Sequence, residues 1–301
     1  MSESAFPLQL LCDAATRAAL AAGQLIQRTD RSTLQRRFKA AGSSAASQLV
    51  TELDVRSEAL IRHHLQAMSE RWDIAFVGEE SSPGGDVQKP ERLRKPYYWC
   101  VDPLDGTLPF VEGRAGYAVS IALVDQSGVP LIGVVYDPVD ATLIQAIRGK
   151  GAYRNEAVMT SRNTVSPSLM VFADASFRAH PSHDEMLAIL NTCAKDCGLN
   201  GVTMVFGSGA VKNACQVLDY PAACYVKLPK HEDGGGSIWD YAATACIVSE
   251  AGGWASNIRG YSLELNRPDS TFMNHQGVIY ASNPVIAHQL IEKMVNYQLL
   301  D

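Results

Sequence analysis

Trp99-Cys100-Val101-Asp102-Pro103-Leu104-Asp105-Gly106-Thr107 is an apolar run that ends in two acids three residues apart, with Pro and Gly set among them. The apolar residues Tyr97–Val101 predict a buried strand, and Pro103 and Gly106 predict a sharp turn at its end. Such a turn can aim the carboxylates of Asp102 and Asp105 and the carbonyl of Leu104 at one point. Hard cations such as Mg²⁺ take oxygen ligands of this kind and keep positions for water and a substrate phosphate. Gly106 and Thr107, where the turn exits, offer backbone N–H groups to a phosphate oxygen. The bland alternative is an acidic β-turn, in which Asp, Pro and Gly are favoured for backbone reasons alone.

A second phosphate chemistry uses a similar pattern. Haloacid-dehalogenase-type phosphatases carry D-x-D-G-T after a strand, with the first Asp as nucleophile. Here the acids are three apart, not two. The extra residue redirects the second carboxylate and favours metal-activated water over an aspartyl-phosphate intermediate.

Upstream, Leu8, Leu11, Ala15, Ala18, Ala22 and Leu25 recur at helical spacing and predict a helix over about 7–28. The small polar stretch Ala40–Ser47 reads as a mobile connection to a second helix, whose Leu53, Leu60, Ile61, Leu65 and Met68 share one face. A strand at Ile74–Val77 then runs into Gly78-Glu79-Glu80, which puts a carboxylate at a strand terminus beside a parallel or antiparallel neighbour carrying Asp102. Ser82–Asp86 and the charged run up to Pro96 read as a solvated loop. Downstream come strands at Ala118–Val124, Leu131–Tyr136 and Thr142–Ile147, the last two joined as a hairpin across Asp137–Asp140.

Beyond about residue 160 strands and helices alternate: 169–172, 184–195, 202–206, 210–218, 224–228, 239–251, 277–281 and 284–296. The expectation is an α/β protein and one catalytic unit, with an α+β half over about 1–160 holding the carboxylates and an α/β half over 161–301 on the substrate side.

Bulk properties narrow the function. With 301 residues, 47% hydrophobic and 19% charged, the chain can bury a large core. A net charge of −6 gives no basic field for nucleic acid. There is no signal-peptide pattern at the start and no run of apolar residues long enough to span a membrane. The seven cysteines are odd in number and contain no C-x-x-C pair, so they read as reduced thiols in a cytoplasmic protein. The seven histidines show no zinc spacing, and His63-His64 lie on a polar helix face. Gly234-Gly235-Gly236 does not make a dinucleotide fingerprint.

Two further acids have ordinary explanations. Asp54, in Thr51-Glu52-Leu53-Asp54, and Asp240, in Ser237-Ile238-Trp239-Asp240, each fit a helix-capping box. What lifts them is their number together with the resemblance that follows.

Five segments in order resemble the inositol monophosphatase superfamily: Leu49–Asp54, Gly78-Glu79-Glu80-Ser81, Asp102–Thr107, Trp239-Asp240-Tyr241-Ala242-Ala243 and Ser249–Gly253. The D-P-x-D-G-T and W-D-x-A-A segments together are far more specific than either alone. The resemblance implies a layered αβαβα sandwich, two or three Mg²⁺ ions, a small phosphorylated substrate and a homodimer. It also implies that Glu79, Asp102 and the Leu104 carbonyl hold one ion, that Asp102, Asp105 and Asp240 hold another, and that Glu79 reaches a third through water. Thr107 and Asp54 would activate the attacking water, and the Gly106 and Thr107 amides would hold the phosphate.

Relatives of this kind include inositol monophosphatases, 3′(2′),5′-bisphosphate nucleotidases, fructose-1,6-bisphosphatases and histidinol-phosphatases. After Thr107 the chain reads Leu108-Pro109-Phe110, which is neither the Thr-Asn-Phe of inositol phosphatases nor the Lys-Glu-Phe of nucleotidases. Gapless counting puts Asp233 at the sugar-recognising acid, and the expected substrate is accordingly a polyol phosphate such as inositol phosphate. Tyr225-Val226-Lys227-Leu228-Pro229 resembles the nucleotidase branch instead; in the helix before it gapless counting puts Asn213 where nucleotidases carry a Lys, with Lys212 one step off, and Lys227 and Lys212 are the candidate substrate ligands. A catalytically dead regulatory member is the third reading, against which all five acids and Thr107 are retained.

Overall fold

The computed structural model describes residues 6–34, 36–38, 49–82, 90–160, 166–234 and 236–296. The Ala40–Ser47 connection and most of the Ser82–Asp86 loop lie outside the described residues.

Five layers are stacked. Helices α1 (Leu8–Arg28) and α2 (Glu52–Trp72) cover one face of a seven-stranded sheet. That sheet runs in sequence order: β3 (Ile74–Gly78), β4 (Tyr97–Asp105), β5 (Ala118–Asp125), β6 (Pro130–Asp137), β7 (Thr142–Ile147), β8 (Ala152–Arg154) and β9 (Ala157–Val158). The β3–β4 pair is parallel and the others antiparallel. A short helix α3 (Thr107–Val111) follows β4, and β1 (Arg36–Phe38) pairs with β2 (Leu49–Thr51) as a separate ribbon.

The other face of this sheet meets α5 (Ala210–Gln216) and α6 (Ile238–Glu250), which are shared with a second sheet. The second sheet has the order β11 (Val202–Phe206), β10 (Leu169–Ala173), β12 (Ala223–Lys227), β14 (Val278–Ala281), β13 (Trp254–Ser256). Helices α4 (His183–Asp196) and α7 (Pro284–Asn296) close its far side. The result is the αβαβα sandwich.

Burial explains the layers. The α1 and α2 stripes, with Leu11, Ala15, Ala18, Ala22, Leu53, Ile61 and Leu65 fully buried, form one core with Trp99, Val101 and Ile121. Helix α6 is buried nearly all round, as expected of an element between two sheets, and joins a central core with Tyr98, Tyr225 and Tyr280. A third core lies between the second sheet and α4 and α7. None of the seven cysteines is bridged, and six are buried. No helix among the described residues is long and apolar enough to cross a membrane.

One expectation about the acids is corrected. The strand does not stop at Val101 before a turn; β4 continues through Asp105. Asp102 pairs with Ser120 and Asp105 with Ala118, so three steps on β4 oppose two on β5. The extra residue is a β-bulge. Side chains alternate faces along a strand, so acids three apart would point to opposite faces; the bulge brings both to one side.

Candidate active site

The bulge makes a cluster. Ligand oxygens of Asp102, Asp105 and Asp240 all lie within 4.8 Å of one another. Asp102 is 1% and Asp105 6% exposed. Asp102 accepts the Leu104 N–H at 3.0 Å, which tightens the bulge. Asp105 is held by both oxygens at the start of α5, from the Ala210 N–H at 3.0 Å and the Val211 N–H at 2.9 Å. Asp240 sits in the first turn of α6 and caps it by accepting the Ser237 N–H at 2.5 Å. For Asp240 the capping and clustering roles coexist.

Glu79, half-buried, directly follows β3. Because β3 and β4 are parallel, with Gly78 opposite Val101, Glu79 is delivered beside Asp102. Its own N–H donates to the Val101 carbonyl at 3.1 Å.

Asp54 also serves two purposes. One oxygen accepts the Thr51 N–H at 2.8 Å and the Thr51 hydroxyl at 2.5 Å, which completes the capping box of α2. The other accepts the Thr107 hydroxyl at 3.0 Å. That hydroxyl is also 3.2 Å from the Leu104 carbonyl. A hydroxyl that donates to Asp54 keeps lone pairs with which to accept a proton from water. Gly106, at the head of α3, has φ 84°, and a Cβ there would sit 2.6 Å from the Gly116 carbonyl. Only glycine fits, so the chain passes close enough to present the Thr107 amide at a helix start.

Like charges at this distance resist ionisation. Burial, then Glu79, Asp105 and Asp240, push Asp102 well above the usual carboxylate range. Burial, then Asp240, push Asp105 up likewise, against the pull of the Val211 N–H. Asp240 is pushed to about 7 by burial and Glu79, and Asp54 to about 6 by burial, with Glu79 adding to it. Asp102, Asp105 and Asp240, two of them buried and one half-buried, offer only oxygens and repel each other, with Glu79 adding its charge to all three, a set that suits a hard divalent cation.

Stability carries a sign that can be checked. These acids hold protons in the folded chain that the unfolded chain has released above about pH 4, so metal-free stability falls as pH rises towards about 7. With chelator present, the melting temperature is expected to fall over this window. Mg²⁺ should restore it at neutral pH, by about 2.7 kcal/mol at a hundred times its dissociation constant. A melting temperature that neither falls with pH nor answers to Mg²⁺ would count against a metal centre here.

The expected substrate ligands stand in three different places. Lys227, the last residue of β12, reaches Asp174 at 2.6 Å. Burial pulls its ammonium down, but Asp174, Tyr241 and Asp240 raise it by more, so it stays charged. Its charge in turn restrains the rise at Asp240. Lys212 pairs with Asp137 at the end of β6. Neighbours on a helix point about 100° apart, and it is Asn213 that turns towards the second sheet, donating to Asp174 at 3.2 Å. Asp233 stands exposed on the bend at 231–233 and is not one of the gathered carboxylates.

Asp174 escaped the sequence reading. It directly follows β10, which runs parallel to β12 with Phe172 opposite Tyr225, so Asp174 and Lys227 emerge side by side. The Tyr225 hydroxyl donates to Asp174 at 3.3 Å. Residues just past the carboxyl ends of parallel strands are where α/β sheets bind ligands, and that signal was available once the strands were placed.

Comparison with known proteins agrees with this geometry. The model of the inositol monophosphatase family matches residues 8–299. The 3′(2′),5′-bisphosphate nucleotidase CysQ of Escherichia coli (strain K12) is 30% identical over 235 residues, covering 77% of this chain and 85% of that protein. The inositol-1-monophosphatase of Synechocystis is 31% identical over 290 residues, covering 95% and 89%. Among solved structures, inositol monophosphatase from Anabaena (Nostoc) has a TM-score of 0.69 at 24% identity, covering 97% of each chain. The extragenic suppressor protein suhB from Bartonella henselae has 0.68 at 25%, covering 94% of this chain and 97% of that one.

Proposed function

This chain belongs to the inositol monophosphatase family and is a phosphoric monoester hydrolase, and we propose that it is Mg²⁺-dependent and acts on a small phosphate monoester whose leaving group carries a second anion. The observation behind the last clause is a cation, Lys227, at the end of β12, whose charge is felt at Asp240. An ammonium has three donors, and Asp174 occupies one. A 3′(2′),5′-bisphosphate nucleotide fits this description, in line with the substrate in the name of the CysQ relatives.

Mg²⁺ held by Glu79, Asp102, Leu104, Asp105 and Asp240 would supply acidification of a water and charge neutralisation at the phosphate. The chain's own residues do the rest. The Gly106 and Thr107 amides orient the phosphate. The Thr107 hydroxyl accepts the water's proton as it passes its own to Asp54. Asp54, raised to about 6, is tuned to take a proton near neutrality. Asp105 stays fixed by its two amide donors, so the cluster does not relax when charge moves.

A polyol monophosphate is the second reading, supported by the Synechocystis inositol-1-monophosphatase, which matches over more of the chain than CysQ does. Phosphate release from inositol 1-phosphate, 3′-phosphoadenosine 5′-phosphate and an aryl phosphate separates the two. Lys227→Met is expected to lower kcat/KM for the bisphosphate by about tenfold to a hundredfold, the worth of a hydrogen bond to a charged group. It should lower the rate on the aryl phosphate by much less. A wild type that prefers inositol phosphate, with Lys227→Met neutral, establishes the polyol reading instead.

A further inference from the structure

Helix α2 grips both halves of the carboxylate cluster through a single face, and only one of the gripping residues is part of the chemistry proposed above. Asp54, Ser57 and Glu58 stand at helical positions i, i+3 and i+4 and are all buried. Asp54 takes the Thr107 hydroxyl. Ser57 donates to the Pro103 carbonyl at 3.0 Å, inside the bulge between Asp102 and Asp105. Glu58 accepts the Glu80 N–H at 2.7 Å, inside the turn that carries Glu79.

The Glu58 contact is shaped as well as bonded. A Cβ on Gly78 would lie 2.2 Å from one Glu58 oxygen and 2.8 Å from the other, so the carboxylate is seated directly on the backbone before Glu79. One turn further along α2, Arg62 lies 4.0 Å from Glu58, donates to the Ser81 hydroxyl at 2.8 Å and stacks on Phe76 at 4.0 Å. Glu79 is therefore fixed from both directions: its own N–H is tied to β4, and the next N–H is tied to α2.

We propose that Glu58 is a positioning residue for the metal centre, with Ser57 as its lesser counterpart. It sets the distance and angle between Glu79 and the Asp102–Asp105 bulge, so that these oxygens converge before any cation arrives. The inference rests on the reading of Glu79, Asp102, Asp105 and Asp240 as metal ligands. Partners that orient ligands are worth about 10- to 100-fold in metal affinity. What matters is the reach of the side chain, since the acceptor must meet the Glu80 N–H; its charge does not matter in this role.

Two substitutions separate reach from charge. Glu58→Gln keeps the length and an acceptor and discards the charge; Glu58→Asp keeps the charge and is one methylene too short. Binding is read as the Mg²⁺ concentration at the half-saturation midpoint of a calorimetric titration, and independently by Mn²⁺ titration, neither of which needs turnover. Glu58→Gln is expected to keep the wild-type midpoint to within about threefold, and Glu58→Asp to raise it by about tenfold or more. Ser57→Ala, a smaller cut, should raise it by less. If Glu58→Asp lowers only the metal-free melting temperature and leaves the midpoint unchanged, Glu58 is a packing residue and the proposal fails. It fails equally if Glu58→Gln weakens binding and Glu58→Asp does not, because charge is then what counts. A wild type that binds neither ion removes the metal centre itself, and this inference with it.

Discussion

Asp54→Asn is expected to fold and to bind Mg²⁺ like the wild type while losing about 10²- to 10⁴-fold in kcat, the range typical of a general base. The two oxygens of Asp54 have separate partners, which makes the substitution discriminating. An asparagine can keep its carbonyl oxygen on the Thr51 N–H, so the cap of α2 survives and stability falls by less than the ~1 kcal/mol of a lost cap. The amide NH₂ then faces Thr107 and can only donate, reversing the hydrogen bond that would carry a proton away from water. Thr107→Ala should match this loss and Thr107→Ser should be milder. The double substitution Asp54→Asn/Thr107→Ala should be little worse than either single one, as for residues acting as a unit. Near-normal turnover in an early-melting Asp54→Asn protein would reduce Asp54 to a cap.

How much of this was legible follows from which interactions are local. The order of strands and helices could be read because each buries a stripe or face whose period shows in the chain: Val202–Phe206, Thr142–Ile147 and the helix over 284–296 were placed to the residue. The carboxylates could be listed, as could the capping boxes around Asp54 and Asp240, which involve residues three apart. The bulge could not be seen. Whether Asp102 and Asp105 share a face depends on pairing with Ser120 and Ala118, and pairing across strands leaves no mark in a single segment. The same holds for Asp174, which acquires meaning only when β10 is set beside β12. Gapless counting reached Asn213 with Lys212 one step off, and that step turns the side chain by about 100°, so Asn213 meets Asp174 at the second sheet and Lys212 meets Asp137 at the first. Asp233 was reached by counting back from Asp240, and it lies on the exposed bend at 231–233. Glu58 and Ser57 were within reach, since the spacing from Asp54 already puts all three on one face.

The second large effect is expected at Asp240, where function and stability should move in opposite directions. Asparagine retains a carbonyl for the Ser237 N–H, so α6 keeps its cap. What disappears is one of three clustered acids, two of them buried, whose oxygens lie within 4.8 Å of each other. Asp240 is a cause of the upward push on both Asp102 and Asp105, so its loss relieves the two that remain. In chelator at neutral pH, Asp240→Asn should therefore melt above the wild type, since acids of raised pKa weaken the fold once pH passes through their folded values. In Mg²⁺ the order should invert, because the wild type gains the binding free energy and the variant has lost a ligand. Catalysis should fall by more than about a thousandfold, since the lost charge stabilisation at a metal site is worth several kcal/mol. Both melting curves and a single-substrate assay suffice to check this. If Asp240→Asn is less stable than the wild type without metal and equally responsive to Mg²⁺, the carboxylate serves α6 alone, and any cation is held by Glu79, Asp102 and Asp105 without it.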